Sequence, residues 1–268
     1  MHRRLIDLSV PIRRPDPGEV TGGLGASLAA EIEYITHDDS LSTFMERFGC
    51  EADDLPDRKG FGGERLRLTG HAGTHVDAPW HYYPTCAGEP AKTIDMLPLE
   101  DFLGPGVVLD LRGHEPGDRV DVTEIQQAVE ATGAPLSPGE IVCCMFGQDE
   151  HFGTARYWDD FAGLGADAVR WVLRQGVKVI GTDAPGLDRG FSYMAEEFRA
   201  TGDRSVIWEA HRVGMDHEYF QIEKLANLHR LPARGFTIAC FPVNIEGASG
   251  AWCRAVAMLE NDVSAGGS

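Results

Sequence analysis

Residues 71–81, with the sequence HAGTHVDAPWH, place three histidines and one aspartate within one short segment. Imidazole and carboxylate groups are common ligands of Zn²⁺ and Mn²⁺, and histidine is also the commonest proton-transfer group in catalysis. The same segment contains Gly73 and Pro79, residue types that bend the backbone. The segment is therefore a candidate metal site. The alternative is a chance cluster in a chain with ten histidines.

The spacing of the four side chains excludes both a regular helix and a straight strand as a metal site. On a helix His71 and His75 share a face, whereas Asp77 and His81 point away from it. On a strand all four share a face, but four residues of strand extend about 13 Å. Because the ligands of one ion lie within about 2.0–2.2 Å of it, we expect the segment to bend at its glycine and its proline.

His71, His75 and Asp77 form a three-ligand set that leaves coordination positions open for water. Such open sites are typical of catalytic metals rather than structural ones. A bound metal lowers the pKa of its water toward about 7 and polarises a carbonyl group. His81 is then a nearby acid or base. If His81 is a fourth ligand instead, the site is tetrahedral and closed, which is typical of a structural metal.

A second group of candidate ligands lies far downstream, at His211, His217 and Glu223. A histidine and a glutamate there can return to the metal site through the fold. On a helix, however, such residues are more often exposed, so the spacing alone leaves both interpretations open.

Composition limits the classes of partner. The net charge of −18 argues against nucleic acid and anionic membranes, because both attract cationic surfaces. No apolar run approaches the length of about 18 residues that a membrane helix needs, and the basic N-terminus lacks the apolar region of a signal peptide. The six cysteines show no CxxC spacing, which favours reduced thiols in a cytoplasmic protein.

Hydrophobic periodicity predicts alternating strands and helices around these residues. Residues 141–182 read as strand, helix and strand, which indicates a βαβ unit with parallel strands. Residues 50–63 are rich in acidic residues and glycine and predict a surface loop, with a mobile lid as the alternative. The predicted strands are 5–12, 64–69, 106–111, 141–146, 177–182, 236–241 and 254–259, and the predicted helices are 40–48, 122–131, 166–175 and one around 219–228. We expect one α/β domain with a mixed sheet over residues 1–268, with 262–268 as a flexible tail.

The histidine-rich segment resembles the signature of the cyclase-like family of metal-dependent hydrolases. That family includes bacterial kynurenine formamidase, isatin hydrolase and proteins named polyketide cyclases. The resemblance covers most of the chain from Glu64 to Leu259. It continues in residues 98–106, 176–188, 211–227, 241–244 and 249–257.

The resemblance assigns roles to single residues. It implies that His71, His75 and Asp77 hold a first metal, and that Asp77 bridges to a second metal held by His211 and Glu223. His217 is a rival of His211 for this position. By the same resemblance His81 is the proton donor and acceptor. One or two ions per chain, Zn²⁺ or Mn²⁺, are implied, in a swivelling β/α fold that forms a homodimer or homotetramer.

The implied activity is hydrolysis of a carbon–nitrogen amide bond in a small molecule, by hydroxide formed at the metal with His81 carrying the proton. The family's formamidases carry an early tryptophan that packs on their aromatic substrate, and residues 9–18 contain none. Residues 34–61 are also an insertion relative to a minimal formamidase. A cyclic amide, an imide or an aryl amide is therefore the expected substrate. The alternatives are a metal-dependent cyclase or lyase, a lactone hydrolase, and a non-catalytic metal-binding protein.

Overall fold

The computed structural model describes residues 3–20 and 22–260. The strands in this part of the chain are β1 (Arg3–Asp7), β2 (Glu31–Ile35), β3 (Gly63–Arg67), β4 (His75–Asp77), β5 (Thr85–Cys86), β6 (Glu89–Pro90), β7 (Leu103–Asp110), β8 (Arg119–Val120), β9 (Ile141–Met145), β10 (Gly163–Leu164), β11 (Val179–Thr182), β12 (Phe220–Glu223), β13 (Phe236–Ala239), β14 (Gly250–Trp252) and β15 (Val256–Glu260). The α-helices are α1 (Gly23–Leu28), α2 (Leu41–Phe48), α3 (Pro79–Tyr82), α4 (Val122–Ala131), α5 (Ala166–Arg174), α6 (Phe191–Thr201) and α7 (Glu209–Arg212).

A mixed nine-stranded sheet forms the centre of the described structure. Its strand order is β1-β15-β13-β7-β9-β11-β12-β4-β14. The four middle strands, β7, β9, β11 and β12, run parallel to one another, and antiparallel strands extend the sheet on both sides. This architecture confirms the predicted α/β class with a mixed sheet.

Strand β9, in the middle of the sheet, is apolar along its whole length because both faces of the sheet are covered there. All five residues of β9 are buried. Cys143 and Met145 join the apolar cluster on one face, and Val142 and Cys144 join the cluster on the other. Helices α4 and α5 contribute buried side chains to that second cluster. Burial on both faces is the normal state of parallel strands.

Several predicted elements are confirmed close to their expected bounds. Helix α4 occupies Val122–Ala131, and the Asp121 side chain accepts hydrogen bonds from the backbone N–H groups of Thr123 and Glu124. Strands β9 and β11 are parallel and joined through α5, as the βαβ pattern predicts. The opening strand is shorter than expected and ends at Asp7. The tail predicted at 262–268 lies outside the described residues.

The helix predicted around residues 219–228 is wrong, because this stretch contains strand β12 instead. All four residues of β12 are buried between β11 and β4. A short apolar run with a few polar residues fits a helical and a strand pattern equally well, so periodicity could not separate them.

Residues 31–67 form an arm outside the main sheet. Strands β2 and β3 pair with each other, and α2 lies between them in the chain. The expected surface loop at 50–63 contains two short 3₁₀ turns. No helix among the described residues is long and apolar enough to cross a membrane.

Candidate metal centre

The histidine-rich segment bends where its glycine and proline occur. Gly73 has φ +62°, and a Cβ at this position would lie 2.7 Å from the Ile12 side chain. The short strand β4 follows, and Pro79 then begins α3 at the position where a missing N–H costs nothing. The expected bends are confirmed, and they allow side chains on both sides of β4 to turn toward one point.

Strand pairing brings Glu223 to the histidine-rich segment. Glu223 of β12 lies directly opposite His75 of β4 in an antiparallel pair, so their side chains share a face. Asp77, two residues after His75, points to the same face. Glu223 is therefore fixed in the cluster by sheet register.

The polar atoms of this cluster approach one another closely. His75 Nε2 lies 3.1 Å from Asp77 Oδ1 and 3.4 Å from Glu223 Oε2. His211 Nε2 lies 3.7 Å from Asp77 Oδ2 and 3.5 Å from Glu223 Oε1. Burial by itself raises the pKa of the Asp77 carboxyl, but the surrounding histidines lower it well below its ordinary value.

Three of these atoms have no hydrogen-bond partner among the described residues although they are buried: His75 Nε2, Asp77 Oδ2 and Glu223 Oε1. Leaving one buried polar atom unpaired costs about 1–3 kcal/mol, so three in one place require a partner. Ligand atoms held at about 2.1 Å from one ion in a tetrahedron lie about 3.4 Å apart. The spacing and the mixed nitrogen and oxygen donors fit a divalent metal ion.

The tautomer of His75 also suits a metal ligand. Its Nδ1 lies 2.9 Å from the carbonyl oxygen of Gly73 and donates its proton there. The lone pair of the ring is then on Nε2, the atom that faces the cluster. A backbone carbonyl commonly orients a metal-binding histidine in this way.

His71 enters the cluster from the exposed side. Its Nδ1 lies 2.7 Å from Asp77 Oδ1, and its Nε2 lies 2.9 Å from the hydroxyl of Ser249. Gly250 packs against the imidazole, since a Cβ there would lie 2.7 Å from His71 Cε1. The segment after β13 therefore positions a histidine that is far away in sequence.

His211 is the downstream histidine that reaches the cluster, and His217 is exposed. Asp188 holds His211 in place: its carboxylate lies 2.5 Å from His211 Nδ1 and also accepts the backbone N–H of Ala210. This contact leaves His211 Nε2 free to face Asp77 and Glu223. Burial lowers the pKa of His211, but the carboxylates of Asp188 and Asp77 outweigh it and raise the pKa to about 10.

His81 lies at the edge of the cluster. Its Nε2 is 3.9 Å from Asp77 Oδ2, and its side chain keeps 24% exposure. Burial lowers the pKa of His81 to about 4, and the charges of His71 and His211 act in the same direction against the carboxylate of Asp77. Because the ring is neutral near pH 7, it can accept a proton.

A small cavity of about 130 Å³ opens onto the cluster. Its wall combines polar groups with apolar side chains from α1, from the start of α6 and from the loops around β10, β11 and α7. Its lining includes His71, His81, His211 and Glu223 together with Leu24, Leu28, Phe161, Pro185, Phe191 and Trp208. A larger groove of about 680 Å³ lies along the arm and has none of the cluster residues in its wall.

Sequence reasoning missed several side chains that hold this site. Lys224 is fully buried and donates from Nζ to the carbonyl oxygen of His71 at 3.0 Å, and burial lowers its pKa. Asp188, Ser249 and Trp208 were also missed. The only signal for Asp188, Lys224 and Ser249 was their place in the resembling segments 176–188, 211–227 and 249–257, and nothing in the sequence distinguished Trp208.

Other residues considered in the sequence lie outside the site. Asp183 accepts hydrogen bonds from the backbone N–H groups of Phe146 and Gly147, so it ties β11 to the end of β9. Trp80 is half exposed and is not among the residues that line the cavity. Burial and nearby acidic groups raise the pKa of Cys86, which makes it a poor nucleophile.

Several known proteins are similar to this chain in sequence, and several solved structures are similar to it in fold. Kynurenine formamidase from Erythrobacter litoralis is 27% identical over 192 residues, which is 72% of this chain and 74% of the relative. Isatin hydrolase from Roseibium aggregatum is 26% identical over 203 residues, 70% of this chain and 72% of the relative. The structure of isatin hydrolase A from Ralstonia solanacearum superimposes with a TM-score of 0.73 at 24% identity and covers 96% of this chain and 92% of that one.

The family model described as "Putative cyclase" matches residues 6–189. The matched range contains the histidine-rich segment, the βαβ unit and Asp188, and it is more than half of the chain. The chain belongs to this cyclase family.

Proposed function

We propose that this protein is a metal-dependent hydrolase that cleaves a carbon–nitrogen amide bond in a small cyclic amide, imide or aryl amide. One observation carries the proposal: buried, unpaired atoms of His75, Asp77 and Glu223 meet beside a cavity with apolar walls. The relatives named above are a formamidase and an isatin hydrolase, and their names support the same class of reaction.

For the ligand set we propose the residues that the family resemblance assigns, whose polar atoms approach one another in the cluster. His71, His75 and Asp77 would hold one ion, and Asp77, His211 and Glu223 would hold a second. We propose Zn²⁺ or Mn²⁺, since histidine nitrogens with carboxylates suit both ions. An ion bound there supplies acidified water and polarises the amide carbonyl.

The chain's own groups would orient the reactants and move the proton. His81 faces both the cluster and the cavity, so its neutral Nε2 is suited to accept a proton from water and to pass it to the leaving nitrogen. Asp188 keeps Nε2 of His211 directed at the carboxylates. The apolar walls exclude bulk water, which strengthens these electrostatic interactions.

The decisive experiment combines metal analysis with turnover in labelled water. Protein purified without chelator is analysed for zinc and manganese and then offered isatin, formanilide, a lactone and an imide in H₂¹⁸O. We expect bound metal and one ¹⁸O atom in the new acid group of an amide substrate. Ring closure or dehydration without ¹⁸O incorporation would establish the cyclase or lyase instead. Metal without any turnover would favour a non-catalytic metal-binding protein.

We also propose that the chain forms a homodimer or homotetramer. The arm carries large apolar side chains that are exposed in the isolated chain, among them Tyr34 at 72% and Phe48 at 64%. Light scattering after size exclusion would measure the mass, and a single-chain mass would contradict the proposal.

A cytoplasmic location is proposed from the thiols. The six cysteines are free, and Cys143, Cys144 and Cys240 are buried. Mass spectrometry of alkylated protein from cells should find all six reduced, and a disulfide would contradict this location.

A further inference from the structure

Trp208 has an unusual backbone conformation next to the metal centre. Its φ is 56° and its ψ is 43°, which places a bulky residue in the left-handed region. Such residues are rare, and they persist only where the surrounding structure holds them, often at a functional site. Here the Trp208 N–H donates to Met194 Sδ at 3.3 Å, and its carbonyl accepts the N–H of Arg212 at 2.9 Å.

The strained backbone directs the indole at two histidines of the site. The indole stacks on the His211 ring with centroids 4.2 Å apart and planes 15° apart. It meets the His81 ring edge-to-face at 5.2 Å and 79°. Because the stack fixes the indole plane, Trp208 is a rigid wall of the cavity beside His81.

Trp208 is not an ordinary core residue. Its side chain is only partly buried, whereas the largest core aromatics, Tyr157, Tyr219, Phe102 and Phe220, are fully buried. Part of the indole surface therefore remains accessible, and the left-handed backbone of Trp208 holds it at the cavity. A core packing role would not require that exposure.

The rest of the cavity wall restricts the charge of its occupant. Leu24, Phe161 and Phe191 are apolar, and the cationic residue of the lining, Arg189, is already paired with Glu197 and donates to the carbonyl of Gly117. Away from the cluster, the apolar part of the wall therefore offers an anionic group no unpaired arginine or lysine. A flat, uncharged ring can pack against the apolar walls and also stack on the indole.

We propose that Trp208 determines substrate specificity by selecting planar, uncharged rings, which it contacts with the part of the indole that His211 leaves uncovered. This inference rests on the proposed function for its catalytic consequence, but the selection itself is a binding property. It can therefore be measured with a ring that contains no amide.

The test uses indole as a planar probe and cyclohexanol as a non-planar one, both measured by calorimetry on metal-loaded protein. Trp208→Leu keeps an apolar side chain but removes the aromatic face. We expect its Kd for indole to rise at least about tenfold, the size of a lost aromatic contact with its buried area. Binding of cyclohexanol should change much less, and Trp208→Phe should retain most of the preference for indole.

Two further variants keep the test decisive. Trp208→Gly suits the left-handed backbone, so it should fold even if the leucine variant does not, and it should lose the preference for indole. Trp80→Leu is the matched control, because Trp80 lies in the same histidine-rich region but outside the cavity lining. Unchanged indole binding in the leucine and glycine variants would overturn the inference, as would an equal loss in Trp80→Leu.

Turnover separates this inference from the proposed function. If no amide is hydrolysed while indole binding still depends on Trp208, the proposed function fails and the specificity assignment stands. If isatin is hydrolysed with the same KM in wild type and Trp208→Leu, the specificity assignment fails and the hydrolase stands.

Discussion

His81 differs from the other histidines of the site in position and in environment. It is farther from Asp77 than His71 and His75 are, and it remains partly exposed toward the cavity. Burial is the first cause that lowers its pKa to about 4, so the ring is neutral at pH 7 and keeps a lone pair that can accept a proton. These properties suit proton transfer better than metal binding.

Replacing His81 therefore separates the two roles. We expect His81→Ala to retain the metal content of the wild type and to lower kcat for isatin by about 10²–10⁴-fold, the usual contribution of a general acid or base. Elemental analysis and steady-state kinetics measure both quantities, with the exposed His229→Ala as control. Loss of metal in His81→Ala would make His81 a ligand.

Asp188 acts on the site through His211 rather than by contact with a substrate. Asp188→Asn can place an N–H donor opposite His211 Nδ1, which favours the wrong tautomer. We expect metal affinity to fall about 10–100-fold, as for other groups that orient a histidine ligand. Calorimetric zinc titration measures it, with the exposed Asp167→Asn as control. Equal affinity in Asp188→Asn and wild type would show that this contact does not orient the ligand.

The sequence was informative about this site only where the relevant residues are close in the chain. Spacing within residues 71–81 predicted the bend and a candidate ligand set. Glu223 and His211 were assigned by resemblance, because their positions depend on sheet register and on Asp188. Lys224 and Ser249 were not predictable, since a buried lysine and a serine near Gly250 carry no local pattern.

At the scale of elements, local signals predicted helices better than they predicted strand β12. Helix α4 begins with a capping box in which Asp121 and Glu124 satisfy each other's backbone N–H groups, and that signal lies within four residues. Strand β12 has no comparable local signal, because its conformation is set by β11 and β4 on either side. Pairing with strands that are distant in sequence therefore determines the extended conformation of β12.

The cap of α4 gives a stability prediction that is independent of the metal. Asp121→Ala removes two hydrogen bonds to the N–H groups of Thr123 and Glu124. We expect the free energy of unfolding to fall by about 0.5–2 kcal/mol with metal content unchanged. Urea denaturation measures the loss, and Glu130→Ala on the exposed face of α4 should change stability by less than about 0.5 kcal/mol. Equal losses would show that the cap contributes nothing specific.

Asp183 should make the stability of the junction between β9 and β11 depend on pH. Burial raises its pKa to about 7, although the N–H groups of Phe146 and Gly147 oppose the shift. The folded pKa of Asp183 exceeds the unfolded value of about 3.9. The contribution of Asp183 to the free energy of unfolding is therefore fully present below pH 4. It is lost as the pH rises through about 7.

Comparison with Asp183→Asn isolates this contribution. Between pH 5 and pH 7 the wild type should lose stability relative to the variant by about 1 kcal/mol per pH unit, and above pH 8 the difference should stay constant. Urea denaturation across this range measures both proteins in the same buffers. Parallel stability curves would mean that Asp183 is ionised throughout.

For the whole molecule, the chain carries a net charge of −18 around the proposed metal site. The long-range field attracts divalent ions and repels anions. An uncharged substrate approaches such a surface without electrostatic penalty, which agrees with a cavity wall that is apolar away from the cluster and whose arginine, Arg189, is already paired. Surface charge and cavity chemistry therefore favour the same class of ligand.

A bound metal should stabilise the whole fold, because its proposed ligands come from β4, from β12 and from α7, which are far apart in sequence. Binding to the folded chain alone at 100 times the Kd adds about 2.7 kcal/mol. For a chain of this size that energy raises Tm by about 5–10 °C. We expect EDTA to lower Tm by this amount and zinc or manganese to restore it.

The control for metal removal is Glu223→Gln, which keeps the shape of the side chain but removes its charge. This variant should bind metal more weakly, so EDTA should shift its Tm less than that of the wild type. If EDTA leaves the wild-type Tm unchanged, the unpaired atoms of His75, Asp77 and Glu223 must be satisfied by protons and water. In that case the cluster would be polar packing, and the hydrolase proposal would lose its metal centre.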